Sequence, residues 1–396
     1  MLTDRDLFYR FLALPSRNPL GIEMVDAKGI YLYDKDGKEY IDLVSGISVS
    51  NLGHKHPEII KAVKEQADKY LHLMVYGKYI QSPQVQLAKL LADNLPSHLN
   101  TTYLVNSGSE AIEGALKLAK RFTGRSEIMA FKNAYHGGTH GALSILGNEE
   151  LKIAFRPLLP DIKFLEFNNK EDIAQISSKT ACIVIEPIQA EAGIILPKDD
   201  FLKKLQDKCN QTNTLLILDE IQTGFGRTGK LFAFEHYDMT PDILVLAKAM
   251  GGGMPIGAFI ASHQMMQTLT FNPELGHITT FGGHPVSSAA AIASLNFLTR
   301  SDLIFQASEK GSIFEENLRN HPLITEIRRK GLFIGIELKD IESCNKLNER
   351  FIRNGIIVDR FLFKPDSFRI APPLIITEDE IHKTIALIIK SLNEVM

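Results

Sequence analysis

The sequence predicts an α/β protein: a large domain with a mostly parallel central sheet flanked by helices, joined to a small α+β domain built from both chain ends. Three observations predict it. Through the middle of the chain, short β-branched and aliphatic runs alternate with helical stretches: TTYLVNS, EIMAFKNAY, ACIVIEP, TLLILDE and DILVLAK. That alternation is the pattern of βαβ units. The two ends of the chain lack this rhythm and show shorter, mixed signals. The length of 396 residues suffices for one large core with a smaller layer folded against it.

In order along the chain, YLYDKDGKEYIDLVSG reads as a hairpin, with Asp36-Gly37 as the turn between alternating segments. The five middle runs follow and form the sheet. Beyond them, helical signals alternate with the strand-like pieces LFIGIEL and SFRIAPPL. The expected division is residues 1–50 for the N-terminal part of the small domain, 51–290 for the large domain and 291–396 for the C-terminal part of the small one.

Composition narrows the function. Hydrophobic residues make up 44% and charged residues 23%, ordinary for a folded globular chain. The formal net charge is −3 and the basic residues are scattered, which argues against a nucleic-acid partner. The opening MLTDRDLFYRFLALPSRNP mixes charges into its apolar residues, unlike a secretory signal. No apolar run has the length of a membrane span. Cys182, Cys209 and Cys344 are an odd set at wide spacing, suiting neither a disulfide framework nor a zinc site. A cytoplasmic protein without a metal is expected.

Ligands of such sheets bind beyond the carboxyl ends of the strands. The five runs end there on Ser107, Tyr135, Glu186, Asp219 and Lys248, so one crevice is expected to collect all of them. In NSGSEAIEGALKLAKRF, Ser107, Gly108 and Ser109 precede an amphipathic helix, whose free N–H groups suit a phosphate. The same segment also fits an ordinary N-cap. Asp219, in LLILDEIQTGFGRTG, suits a metal, a general base or a protonated ring nitrogen, or a plain solvated strand end. Lys248 interrupts the apolar run of DILVLAKAMGGGMPIGAF and is followed closely by three glycines. Lysine is seldom buried without a reason, although its stem can snorkel. Glycines let a bulky group approach closely, and a desolvated amine of lowered pKa is the kind that forms Schiff bases.

The chain resembles the class III aminotransferases of pyridoxal-5′-phosphate (PLP) fold type I, the group of acetylornithine, ornithine and 4-aminobutyrate aminotransferases. The resemblance runs from GISVSNLGHKHPEI through NSGSEA, AYHGGTHGALS, EPIQAEAG, LDEIQTGFGRTG, LAKAMGGGMPIGA and TTFGGHP to FRIAPPL. It implies a PLP enzyme moving an amino group from an amino acid or ω-amine to a 2-oxo acid by a ping-pong mechanism, as a homodimer with shared active sites. Lys248 would carry the cofactor as a Schiff base and transfer the proton at the substrate carbon. Asp219 would face the pyridine nitrogen, Gln222 the ring hydroxyl, and Tyr135 and Ile221 the two ring faces. Gly108 and Ser109 would bind the phosphate, with Thr280 reaching the phosphate of the neighbouring subunit. Glu186 would stand near the ring and His136 would orient the groups around it. Arg369 would grip a substrate carboxylate, and Glu191 would mask that arginine while an amine substrate is bound.

One position departs from the family pattern. Gly138 stands in Tyr135-His136-Gly137-Gly138-Thr139 where these relatives usually carry an arginine that holds a second carboxylate. Either another basic residue, with Arg156 the candidate, fills the gap, or the acceptor is a monocarboxylate such as pyruvate. Two other readings compete. The PLP fold also serves racemases, decarboxylases and aminomutases, and a metallohydrolase would use His54, His56, His136, His140, Asp219 and Glu220. The glycines of HGGTHG speak against a helix that aligns His136 with His140.

Overall fold

The computed structural model describes residues 2–396. Its first strands, β1 (Met24–Lys28), β2 (Tyr31–Asp34) and β3 (Glu39–Asp42), form an antiparallel meander. The expected hairpin is β2–β3, in which Tyr31 pairs with Ile41 around a turn containing Gly37. Helices Pro57–Lys69 and Ser82–Asp93 then lead into the central sheet.

That sheet is built from β4 (Thr101–Val105), β5 (Glu127–Phe131), β6 (Ile162–Leu165), β7 (Thr180–Ile185), β8 (Leu215–Asp219), β9 (Ile243–Ala247) and β10 (Gly257–Ala261). The strand order is β4-β10-β9-β8-β7-β5-β6, parallel except for β10. Every residue of β7, β8 and β9 is buried, which explains the apolar runs Ala181–Ile185, Leu215–Leu218 and Ile243–Ala247: both faces are covered, so no polar alternation is permitted.

The sequence had not marked β6 or β10. GAFIA is short and rich in small residues, and IKFL lies at the sheet edge with mixed burial. The link from β8 to β9 also differs from the expected helical crossover. It runs through successive turns and a 3-10 turn at Ala233–His236, because Gly224, Gly226 and Gly229 disfavour a regular helix. β8 and β9 are nevertheless neighbours, with their carboxyl ends together.

After helices Pro285–Arg300 and Leu303–Leu318 come β11 (Ile324–Lys330), β12 (Phe333–Leu338), β13 (Ile356–Ile357), β14 (Asp359–Arg360) and β15 (Ser367–Ile370). Four of them form a sheet in the order β11-β12-β15-β14, while β13 pairs in parallel with β3 and so joins the two ends of the chain. The last helix, Glu378–Asn393, starts from a capping box between Thr377 and Glu380. Among the described residues no helix is long and apolar enough to cross a membrane.

Candidate active site

Ser107, Tyr135, Glu186, Asp219 and Lys248 all line one cavity of about 450 Å³, of a size that suits a small ligand. Four of them end a strand or lie just beyond it. Tyr135 is the exception: β5 stops at Phe131, and a short loop carries the tyrosine to the cavity.

Ser107 serves as the N-cap of helix Gly108–Thr123, its Oγ accepting from Glu110 N at 3.2 Å. The cap leaves the amides of Gly108 and Ser109 without partners inside the helix, pointing to where an anion would bind. A Cβ on Gly108 would stand 2.7 Å from Ile221 Cδ1, so only glycine lets Ile221 lie over the helix start. Ser109 Oγ accepts from Gly138 N at 3.2 Å. Gly137 passes so close that a Cβ there would meet Ser109 Oγ at 2.1 Å, and its φ of +129° also calls for glycine.

Asp219 is held from two sides. Its Oδ1 accepts from Ile221 N at 3.0 Å, and its Oδ2 lies 2.8 Å from His136 Nδ1. The carboxylate can only accept, so it fixes the proton on Nδ1 of the buried ring. His136 Nε2 and Glu186 Oε2 are buried without a partner. Burial, then the charges of Asp219 and Glu191, push Glu186 well above the usual carboxylate range. Burial and Glu191 also raise the Tyr135 phenol.

Lys248 follows directly on β9 with φ +49°, a left-handed conformation rare outside glycine and typical of functional positions. Burial, reinforced by the charge of Arg369, lowers its pKa to about 8 against the opposing pull of Glu191, Asp219 and Glu186. The result is an amine that gives up its proton easily.

Ile221 and Gln222 also line the cavity. Gln222 connects it to a second group of residues. Its Oε1 accepts from Arg369 Nη1 at 2.7 Å, and its Nε2 donates to Glu191 Oε1 at 3.1 Å. Arg369 Nη2 donates to the same Glu191 oxygen at 2.7 Å. Arg369 is fully buried, with its guanidinium 4.9 Å from the Phe361 ring centroid. Burial would raise Glu191, but the charge of Arg369 and the bonds from Gln222, Arg369 and Leu362 N hold it below the usual range.

Some expected residues lie elsewhere. Thr280 is exposed outside this cavity, 3.3 Å from the Tyr76 hydroxyl. Arg156 does not fill the place left open at Gly138; it is exposed and paired with Glu149 at 2.5 Å. The histidines considered for a metal are dispersed: His54 pairs with Asp42, His56 packs edge-on to Phe297, and His136 serves Asp219. Among the described residues no group of three potential metal ligands forms.

Other cavity residues escaped the sequence reading. Met254, Pro255 and Ile256 extend the glycine-rich run after Lys248, and that run was the signal that could have found them. Val49 follows a left-handed turn at Ser45–Ser48, which nothing in GISVS announces.

A strand-end cavity with free helix amides, an aspartate locked to a histidine, orphaned polar atoms on its wall and a poised lysine suits a phosphorylated heteroaromatic ligand with a reactive carbonyl. Residues 13–392 match the family model of the class-III aminotransferases. The chain is 38% identical over 367 residues to the acetylornithine aminotransferase of Methanopyrus kandleri, covering 92% of each chain. It is 39% identical over 324 residues to the [LysW]-aminoadipate semialdehyde/glutamate semialdehyde transaminase of Sulfolobus acidocaldarius, covering 81% of this chain and 82% of that one. Its fold superposes on the ornithine aminotransferase of Toxoplasma gondii with a TM-score of 0.92 at 30% identity, over 99% of this chain and 95% of the other. The chain belongs to the class-III aminotransferases, enzymes of PLP fold type I that use pyridoxal 5′-phosphate to move an amino group from an amino donor to a 2-oxo acid.

Proposed function

We propose that the donor is an amino acid or ω-amine of the acetylornithine or ornithine type, and that donor and acceptor use the site in turn by a ping-pong exchange. The observation that carries this reading is the closed Arg369–Glu191–Gln222 cluster beside the Lys248 cavity. A substrate carboxylate can take the place of Glu191 on the guanidinium fork, and a substrate that presents only an amine leaves the pair closed. Such an exchange lets one site accept two unlike partners.

When bound, the cofactor supplies an aldehyde that accepts the amino group and a ring that takes up electrons. The Gly108 and Ser109 amides and the Ser109 hydroxyl would hold its phosphate. Asp219, oriented by His136 and the Ile221 amide, would keep the ring nitrogen protonated, while Tyr135 and Ile221 would pack on the ring faces and Gln222 would bond the ring hydroxyl. Glu186 lines the same cavity. Lys248 would hold the cofactor and move the proton at the reacting carbon, a task that suits an amine with a pKa of about 8.

For the acceptor we favour a monocarboxylate such as pyruvate. Position 138 carries no side chain, Arg156 is engaged on the surface, and among the described residues no arginine lines the cavity. The division of the chain at residues 50 and 290 and a cytoplasmic setting belong to the same reading.

The functional unit in this reading is a homodimer in which Thr280 reaches the partner's phosphate. Its own exposure and that of Ile80, at 95%, Tyr79, Leu71 and Phe281 support a covered face here. Mixed dimers of Thr280→Ala and Lys248→Ala subunits place both lesions in one site and leave the other whole. Recovered activity is the expected result, and hybrids as inactive as Lys248→Ala itself would end the shared-site reading. For the substrates, the decisive experiment is a panel of donors and 2-oxo acids on the purified enzyme. Turnover restricted to donors other than ω-amines would refute the donor assignment.

A further inference from the structure

Arg227 is buried with no solvent exposure, yet no carboxylate pairs with it. Its guanidinium bonds only to neutral oxygens: Nη1 donates to Leu332 O at 3.1 Å and to Pro372 O at 2.5 Å, and Nη2 to Asn51 Oδ1 at 2.5 Å. Nε has no partner. Burial lowers its pKa to about 9, with Asp42 opposing and Arg369 adding to the effect. A charge buried among carbonyls is costly, and well-packed apolar residues would often be at least as stable. Stability alone does not account for an arginine here.

The oxygens it chooses suggest what it does. In the β12–β15 ladder Ile334 pairs with Ile370 and Gly335 with Arg369. Leu332 and Pro372 face each other two residues further along that register, so Nη1 clips the open end of the strand pair in which β15 carries Arg369. Asn51 ties the same guanidinium to the N-terminal segment: Asn51 Nδ2 donates to Phe225 O at 2.9 Å, and Asn51 O accepts from Leu374 N at 2.7 Å. Arg227 itself belongs to the β8–β9 link, which begins just after Asp219 and carries Gln222. One side chain thus binds the strand pair bearing Arg369 to the segment bearing Gln222.

We propose that Arg227 is a positioning residue for the carboxylate clamp: by bridging the Leu332 and Pro372 carbonyls and Asn51 it sets where Arg369 stands relative to Gln222 and the cavity. The guanidinium reaches the three oxygens from two nitrogens fixed in one plane, and lysine, with a single nitrogen on a flexible stem, does not reproduce that spacing. The inference rests on the clamp reading above, so the test must separate the two.

The measurements are the KM for the 2-oxo acid acceptor, kcat, and the dissociation constant of pyridoxal 5′-phosphate, a ligand of the same cavity that does not need the clamp. Arg227→Lys is expected to raise the KM about tenfold, the scale of one charged hydrogen bond, with kcat changed less than about threefold and cofactor binding less than about twofold. Asn51→Ala, which removes one oxygen of the three, is expected to act in the same direction by about two- to threefold, and decides the matter if Arg227→Lys does not fold. Equal losses of acceptor and cofactor binding, or no change in the acceptor KM, overturn the proposal. Arg369→Lys is the companion variant. If it leaves the KM unchanged, the clamp reading itself falls and takes this inference with it; if it raises the KM while the Arg227 and Asn51 variants do not, only this inference falls.

Discussion

Two cations of this molecule are held under opposite conditions, Lys248 half-buried and Arg369 fully buried. Lys248 opens onto the cavity, and its carboxylate neighbours act on it only through space, so burial prevails and the amine is poised to lose its proton. Arg369 is bonded to Glu191 and Gln222 and stacked near Phe361, and its charge is answered group by group. In the proposed function, the group that reacts is left underpaired, whereas the group that holds a ligand is kept paired until the ligand arrives.

The largest expected effect tests the first half of that contrast. Lys248→Ala should fold and yet lose turnover by at least about a thousandfold, since both the cofactor link and the proton carrier go. Visible absorbance of the bound cofactor should change as well. Near-wild-type transamination in this variant would show that the underpaired cation is not the reactive one.

Asp219→Asn should retain some cofactor and lose activity by about a hundredfold, because a neutral amide does not stabilise a protonated ring nitrogen. The His136 contact allows a specific check, as the aspartate is already oriented at 2.8 Å. A cofactor analogue with a permanent positive charge on that nitrogen should recover part of the rate. An analogue that restores nothing would mean that Asp219 serves the histidine alone.

The same contrast explains what was legible in the sequence. Ser107, Glu186, Asp219 and Lys248 sit at strand ends, where backbone topology places them and the alternation of runs reveals them. Arg369, Glu191 and Gln222 meet through side chains from three distant stretches, and no periodicity announces such a meeting; only the family resemblance suggested the pairing of the first two. The link of Gln222 to both, the fork of Arg227 and the left-handed turn before Val49 left no local signal. β10 was missed for a related reason: its small residues satisfy a packed sheet interior without the β-branched character that marks a strand.

Gly138→Arg sharpens the comparison by adding a third cation at the cavity side. A Cβ at this position meets nothing within 4 Å, so the side chain can be accommodated there. The variant should shift the ratio of kcat/KM for 2-oxoglutarate over pyruvate upward by about tenfold, the scale of one hydrogen bond to a charged group. Arg156→Ala should leave the ratio alone, given that Arg156 is paired with Glu149. A wild type that strongly prefers 2-oxoglutarate, with neither substitution moving the ratio, would remove position 138 from acceptor choice.

The last comparison concerns stability without cofactor, where the two cations should respond with opposite signs. A lysine whose pKa falls from 10.5 to about 8 on folding is protonated in both states below pH 8, so the folded protein there carries the full cost of burying the charge. Between about 8 and 10.5 the folded state releases the proton while the unfolded state keeps it. The unfolded state then binds more protons, stability rises with pH, and above 10.5 the cost is gone. The cost is at most about 3 kcal/mol, and solvent in the cavity reduces it to about 1–2 kcal/mol. Lys248→Met should therefore be more stable than the wild type at pH 7 by about that amount, with the advantage shrinking as pH rises through 8. Arg369→Met should instead lose about 3–5 kcal/mol at pH 7, because it leaves Glu191 buried without its partner. Urea midpoints of the three cofactor-free proteins between pH 7 and 10 measure both effects. A Lys248→Met difference that does not change with pH would mean that the amine is not held at a lowered pKa, and the contrast between the two cations would reduce to packing.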